Sequence, residues 1–183
     1  YRYLSTNTYE ITFKVYRDCN SNTPFDGDNS NGGGGGGNQS LFYYTLFDNA
    51  TGVVASSRSL FLKSKSRVSS AIKNPCVDTT VACAEEGLYM DTITVPNGSK
   101  WYSIVHQRCC RNNSINNLMP NTGGGGGGGS VYPGMTIYTN IPPSSTYSNN
   151  SAKFKNFPPL FICRNQQFNF DHSATDVDGD LLK

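Results

Sequence analysis

The chain has 183 residues, enough to bury one mid-sized core with residues to spare for the start of a second module. Charged residues make up only 15% of it and the net charge is +2, with no basic cluster beyond Lys63, Lys65 and Arg67, so the electrostatic footprint of a nucleic-acid binder is missing. Apolar stretches run for only a few residues, which excludes a transmembrane helix; Tyr1 is neither a start methionine nor the head of a secretion signal, so the sequence reads as a mature or excised piece.

In chain order, the first strong signal lies at residues 9–17, where Ile11, Phe13 and Val15 alternate with Glu10, Thr12 and Lys14. That period of two marks a half-buried strand. Similar β-branched and aromatic runs place strands at 41–47, 52–62, 88–95, 101–109, 131–139 and 167–170. Clusters of Asn, Asp, Gly and Pro at 22–31, 48–52, 96–99, 112–122 and 142–150 separate them. Pro96, Asn97 and Gly98 read as a hairpin turn between the strand ending at Val95 and the one starting at Trp101. Only residues 83–89 allow even one helical turn. The glycine runs at 32–37 and 123–129 read as stand-ins for other residues rather than as linkers, which usually mix in Ser, and no function is drawn from them.

The expected fold is therefore all-β, an immunoglobulin-like β-sandwich over residues 1–156. Phe157, Pro158 and Pro159 then open a new apolar segment, and residues 157–183 are expected to be the first strands of a following β module.

Six cysteines, Cys19, Cys76, Cys83, Cys109, Cys110 and Cys163, form an even set without a CxxC pair. With only His106 and His172 as further soft ligands, a sulfur-based metal site is not expected; disulfides in an oxidising, extracytoplasmic compartment are. The adjacent Cys109 and Cys110 cannot both face the core of a regular strand. The pairing read from spacing joins Cys76 to Cys83 as a local staple and Cys19 to Cys109 or Cys110.

No GxSxG, HExxH, P-loop or GxGxxG is present, and no nucleophile and base are organised in sequence, so the chain is not expected to be an enzyme. His106 shares a strand face with Tyr102 and Ile104 and reads as a half-buried structural histidine, His172 as a solvated one, and Glu85 and Glu86 as loop carboxylates. The most specific chemical signal is Asp176-Val177-Asp178-Gly179-Asp180. Alternating aspartates with a glycine turn gather hard oxygen ligands, so Asp176, Asp178 and Asp180 are candidate Ca²⁺ ligands, an ion-free acidic turn being the alternative. The spacing is not that of an EF-hand. Asp26, Gly27 and Asp28 form a second acidic turn, read only as a turn. Asn38, Asn49, Asn97, Asn112 and Asn149 head Asn-x-Ser/Thr sites in expected turns. The eleven tyrosines suit exposed strand surface and core edge, with a sugar-binding or adhesive face as the sharper reading.

Val15-Tyr16-Arg17-Asp18-Cys19, Cys109-Cys110-Arg111-Asn112 with Ile115 and Asn116, Pro158-Pro159, Ile162-Cys163, Gln167-Phe168 and the closing Ala174 to Asp180 string span nearly the whole chain. In combination they resemble large secreted surface proteins of the Bacteroidota, the gliding-motility-associated or PKD-like repeat proteins. The resemblance implies an extracellular, type IX-secreted protein of tandem β-sandwich modules that acts as an adhesin or surface filament component. It implies that residues 157–183 open a PKD- or cadherin-like module, with Asp176, Asp178 and Asp180 holding Ca²⁺ at the junction. It also implies O-glycosylation at Thr79 and Thr92. The partners expected are neighbouring modules, further copies of the chain or a surface polysaccharide. A carbohydrate-binding module and a self-polymerising filament subunit are the alternative functions.

Overall fold

The computed structural model describes residues 1–21, 23–28, 40–68, 83–109, 134–159, 162–163 and 165–182. In chain order its strands are β1 (Arg2–Ser5), β2 (Thr8–Asp18), β3 (Phe42–Asp48), β4 (Val54–Leu60), β5 (Ser64–Val68), β6 (Ala84–Thr94), β7 (Tyr102–Arg108), β8 (Met135–Ile141), β9 (Lys153–Phe154) and β10 (Ala174–Thr175), and no helix occurs among the described residues. One antiparallel sheet has the order β1-β2-β6-β5 and a second the order β4-β3-β7-β8; the two pack together as a β-sandwich. β9 and β10 pair with each other and, among the described residues, with no further strand.

The alternation that marked β2 operates as expected: Tyr9 and Ile11 are buried while Thr12 and Lys14 are exposed. β3 buries Phe42, Tyr44 and Leu46, and β7 buries Tyr102, Ile104 and His106. Tyr89 and Ile93 of β6 complete the facing layer, and Ile141 closes one end. The core is rich in tyrosine, which differs from the expectation of a mainly exposed or edge role. Tyr9, Tyr44, Tyr89 and Tyr102 are each at most 2% exposed. Burial of a phenol requires a partner for its hydroxyl. Tyr9 donates to the carbonyl of Pro142 (3.4 Å), Tyr44 to Asp91 (2.7 Å) and Tyr89 to the carbonyl of Asp26 (2.8 Å), while Tyr102 accepts from the Asn97 amide (3.1 Å).

Several expectations need correction. Pro96 to Gly98 do not form a hairpin: β6 and β7 belong to different sheets, and the turn carries the chain across the sandwich, pinned by Asn97 on Tyr102. Residues 83–89 are not helical, because β6 extends back to Ala84 with β2 on one side and β5 on the other. No strand forms at 167–170; the short β10 lies downstream instead. Glu85 and Glu86 are strand residues rather than loop residues, held by Arg17 (2.7 Å) and by Lys14 (3.2 Å) and Tyr16 (2.6 Å) across the ladder. β1 and β5 escaped the sequence pattern because they are short edge strands, of four and five residues, that bury little. Ser64–Val68 needs only backbone pairing with β6, so its side chains show no apolar period.

The disulfide expectation is also overturned. β2 and β6 pair over eleven positions ending at Asp18↔Ala84, which puts Cys19 and Cys83 opposite each other at the next step. They are bonded, with Cα atoms 5.3 Å apart, so neither Cys76–Cys83 nor a bridge from Cys19 to Cys109 or Cys110 forms. Cys109 and Cys163 are disulfide-bonded as well; Cys76 and Cys110 lie outside the described residues.

Polar clasps join the sheets and loops. Arg58 of β4 forks onto Asp91 of β6 (2.8 and 3.0 Å), where Tyr44 of β3 also donates. The turn at Asp26 to Asp28 is a structural turn: Gly27 has φ +67°, Asp28 is buried against Lys65 (2.8 Å), and Asp26 pairs with Arg108. Phe25 from the same loop fills the space above Gly87, where a Cβ would meet its ring at 2.7 Å, and carries Arg17 on its outer face.

Two predictions follow from these contacts. Replacing Cys19 and Cys83 together by Ala opens a loop of 64 residues in sequence separation and is expected to lower stability by about 3–4 kcal/mol, read by urea denaturation of the non-reduced protein. Burial pushes the Asp91 carboxyl up, but Arg58 and Tyr44 outweigh it and hold the group below the usual carboxylate range. A carboxyl lowered on folding contributes stability above its unfolded pKa, and that stability is lost as pH falls through the folded value. Asp91→Asn is therefore expected to cost about 1–2 kcal/mol at pH 7, the half-exposed Arg58 limiting the effect, and progressively less as the pH falls below about 4. A loss that stays constant across the acid range would show that the charge is not what matters.

Candidate functional site

His106 sits in the core rather than in a cleft. Its Nδ1 donates to the Tyr43 carbonyl at 2.6 Å and its ring stacks on Phe42 at 4.2 Å, with Phe13 and Tyr43 at its edges. Buried, ring-stacked and bonded to a backbone carbonyl, His106 is part of the packing, more deeply placed than the half-buried position expected. His172 is exposed and packs between Phe154 and Phe170.

The acidic string is brought to a defined place. β10 pairs with β9, Lys155 bonds Ser173 (3.0 Å) and Asn156 bonds Asp171 (3.0 Å), so the chain returns beside residues 149–151. There Asp178 accepts from the Asn150 backbone amide (2.6 Å) and from its side-chain amide (2.9 Å). Asn150 in turn accepts from the Tyr3 amide (2.9 Å), which ties the loop to β1. Asp176 accepts from the Asp178 amide (2.8 Å), and Gly179 turns the chain with φ +81°. Asp176, Asp178 and Asp180 each bring a carboxylate oxygen within 4.8 Å of the others. The donors are all hard oxygens, the kind Ca²⁺ takes, and they supply three of the roughly six to eight that it needs. The boundary expected near Phe157 falls inside this paired unit, and Phe157 itself packs on Tyr16 of β2 at 4.9 Å.

Beside the acidic loop, five separate stretches of chain line a groove of about 290 Å³. Trp101 from the β6–β7 crossover, Tyr147 and Asn149 from the loop after β8, Asn140 at the end of β8, Tyr1 and Asp180 meet there. Trp101 and Tyr147 are 50% and 54% exposed. Trp101 is positioned by its carbonyl, which accepts from the Asn49 amide (3.1 Å), and Tyr147 by a turn onto Pro143 (3.0 Å). Asn149 donates to the Tyr1 hydroxyl at 2.6 Å. Burial raises the Tyr1 phenol, opposed by that hydrogen bond and reinforced by the negative charge of Asp176, Asp178 and Asp180. Sequence reasoning singled out Trp101 and the tyrosines as a class but missed Asn140 and the involvement of Asp180, because no local spacing connects these segments.

Of the modification sites, Thr92 lies exposed on β6 opposite Glu10, and Thr79 lies outside the described residues. Asn49 and Asn97 are exposed in turns, whereas the Asn149 amide is engaged by Tyr1; Asn38 and Asn112 lie outside the described residues. Comparisons with family models, curated proteins and solved structures returned no match.

If Asn150 is the anchor of the acidic loop, Asn150→Ala should release it. Limited proteolysis is expected to cut within residues 171–182 several times faster in the variant, with the sandwich's melting temperature lowered little; equal cleavage rates would mean that β9 and β10 hold the loop unaided.

Proposed function

We propose that this chain is a structural and adhesive module of a large extracellular surface protein, of immunoglobulin-like type, with residues 157–183, held to it through β9 and Tyr16, opening the next PKD- or cadherin-like module. The observation that carries the reading is the Cys19–Cys83 bridge at the end of the eleven-position β2–β6 ladder. A crosslink that staples neighbouring strands suits a compartment where disulfides persist and a chain under load, since it constrains the unfolded state. The neutral polar composition and the tight structural engagement of His106 support a binding and mechanical role over catalysis. The resemblance to gliding-motility-associated surface proteins supplies the cell-surface setting, type IX secretion and glycosylation at Thr79 and Thr92. In this reading Asp176, Asp178 and Asp180 take up Ca²⁺ and stiffen the junction, with the remaining ligands from water or from neighbouring groups. Partners are adjacent modules or further copies of the chain.

Calorimetric titration with CaCl₂, alongside melting curves with and without EDTA, tests the junction. The expected outcome is saturable binding, a melting temperature raised by Ca²⁺, and loss of both in the Asp176→Asn, Asp178→Asn double variant. Absence of binding removes the cation from the reading. Free thiols in the native, non-reduced protein, read by peptide mass spectrometry, overturn the extracellular assignment itself.

A further inference from the structure

The groove beside Trp101 has a composition that the sandwich does not require. Exposed aromatic rings usually lie scattered on a surface, but here Trp101 and Tyr147 lie about one concavity with Tyr1. The Ser103 hydroxyl lies 2.7 Å from Asn140 Oδ1, and Asn149 spends its amide nitrogen on Tyr1. That leaves the Trp101 indole N–H and Asn140 Nδ2 as donors, and Asn149 Oδ1 and the Asp180 carboxylate as acceptors, without partners among the described residues. Aromatic rings with amide and carboxylate groups about one concavity form the pattern of a small-molecule site.

The same residues select the ligand class. Among the described lining residues there is neither Lys nor Arg, and the one charged side chain is Asp180, so an anionic ligand meets a repulsive carboxylate. Pro142, just past the end of β8, lines the groove and has no N–H to offer an extended peptide at that point. A neutral sugar ring fits both halves of the lining. Its C–H face lies on an aromatic plate, and its hydroxyls both donate and accept, matching amide and carboxylate together.

We infer that the groove formed by Trp101, Tyr147, Asn140, Asn149 and Asp180 binds a neutral saccharide. This deepens the adhesive reading, on which it rests, by assigning the chemistry of the surface the module grips.

Trp101 is the one tryptophan of the chain, so its fluorescence reports the groove directly. The test titrates the full chain with soluble β-glucan, mannan, xylan, galactan and chitin oligosaccharides, with heparin and polygalacturonate as anionic controls, in Ca²⁺ and again in EDTA. The expected result is a saturable change in Trp101 emission with at least one neutral oligosaccharide and none with the anionic polymers. Tyr147→Ala, followed by the Trp101 signal, and Trp101→Ala, followed by calorimetry, are each expected to weaken binding about tenfold or more at unchanged melting temperature. Asn140→Ala keeps both rings and is expected to weaken binding less. Loss of emission change across all neutral sugars, binding that survives both aromatic variants, or a preference for the anionic polymers overturns the inference. Because thiol content and Ca²⁺ uptake are read separately, a failed groove and a failed extracellular reading give different results.

Discussion

A buried phenol has to be apolar over its ring and satisfied at its tip, and this sandwich is built around four of them. The rings of Tyr9, Tyr44, Tyr89 and Tyr102 fill the space between sheets, while their hydroxyls reach Pro142, Asp91, Asp26 and Asn97. Each of those partners lies on another segment, three of them in connecting loops and one in the facing sheet. Packing of the core thereby fixes the loops around it: the ring cannot be buried unless the loop arrives. The same contact that holds Pro142 sets one wall of the groove, and the contact on Asn97 sets the crossover that delivers Trp101.

The β2–β6 ladder is the spine of this arrangement. Its eleven positions carry core residues on the inner face, which ends in the Arg17–Glu85 pair beside Phe25, and Lys14 on Glu86 on the other. Tyr16 donates to Glu86, an interaction that lowers the carboxyl's pKa against a smaller rise from burial. Cys19 and Cys83 close the ladder where the side chains stop burying much surface, so the covalent bond takes over at the end where packing is thinnest. Facing it, His106 fills a ring-lined position between Phe13, Phe42 and Tyr43; one hydrogen bond to a backbone carbonyl is what allows an imidazole to serve there as packing material.

The charged groups act locally and mostly between elements. Arg58 and Asp91 connect β4 to β6 across the sandwich, and Lys65 and Arg108 hold the loop at Asp26 to Asp28. At the opposite end the amides of Asn149 and Asn150 do similar work, joining Tyr1, Tyr3 and Asp178 through neutral groups. Short amide and hydroxyl contacts here take the place that long ion pairs have at the Asp26 to Asp28 turn.

Local pattern was sufficient for β2, β3 and β7, because strands with one face on a core must alternate, and it was sufficient for the all-β class. It also marked Asp176, Asp178 and Asp180, whose proximity follows from a short turn around Gly179. It failed for β1 and β5, which bury little, and for the turn at Pro96 to Gly98, since a tight turn looks alike whether the next strand pairs with the last or crosses to the other sheet. Cysteine spacing gave the wrong bridge for a related reason. Cys19 and Cys83 are distant in sequence, and only the register of β2 on β6 makes them neighbours. The groove is the extreme case: Tyr1, Trp101, Asn140, Tyr147 and Asp180 share no period or motif, and they meet because Tyr9, Tyr102 and Asn150 draw their segments to one end of the sandwich. The sequence by itself determined which residues alternate, which turn and which carry oxygen ligands, all properties of neighbours along the chain; the sheet assignment, the disulfide and the groove were decided only by tertiary structure, because each depends on contacts between segments that the chain separates.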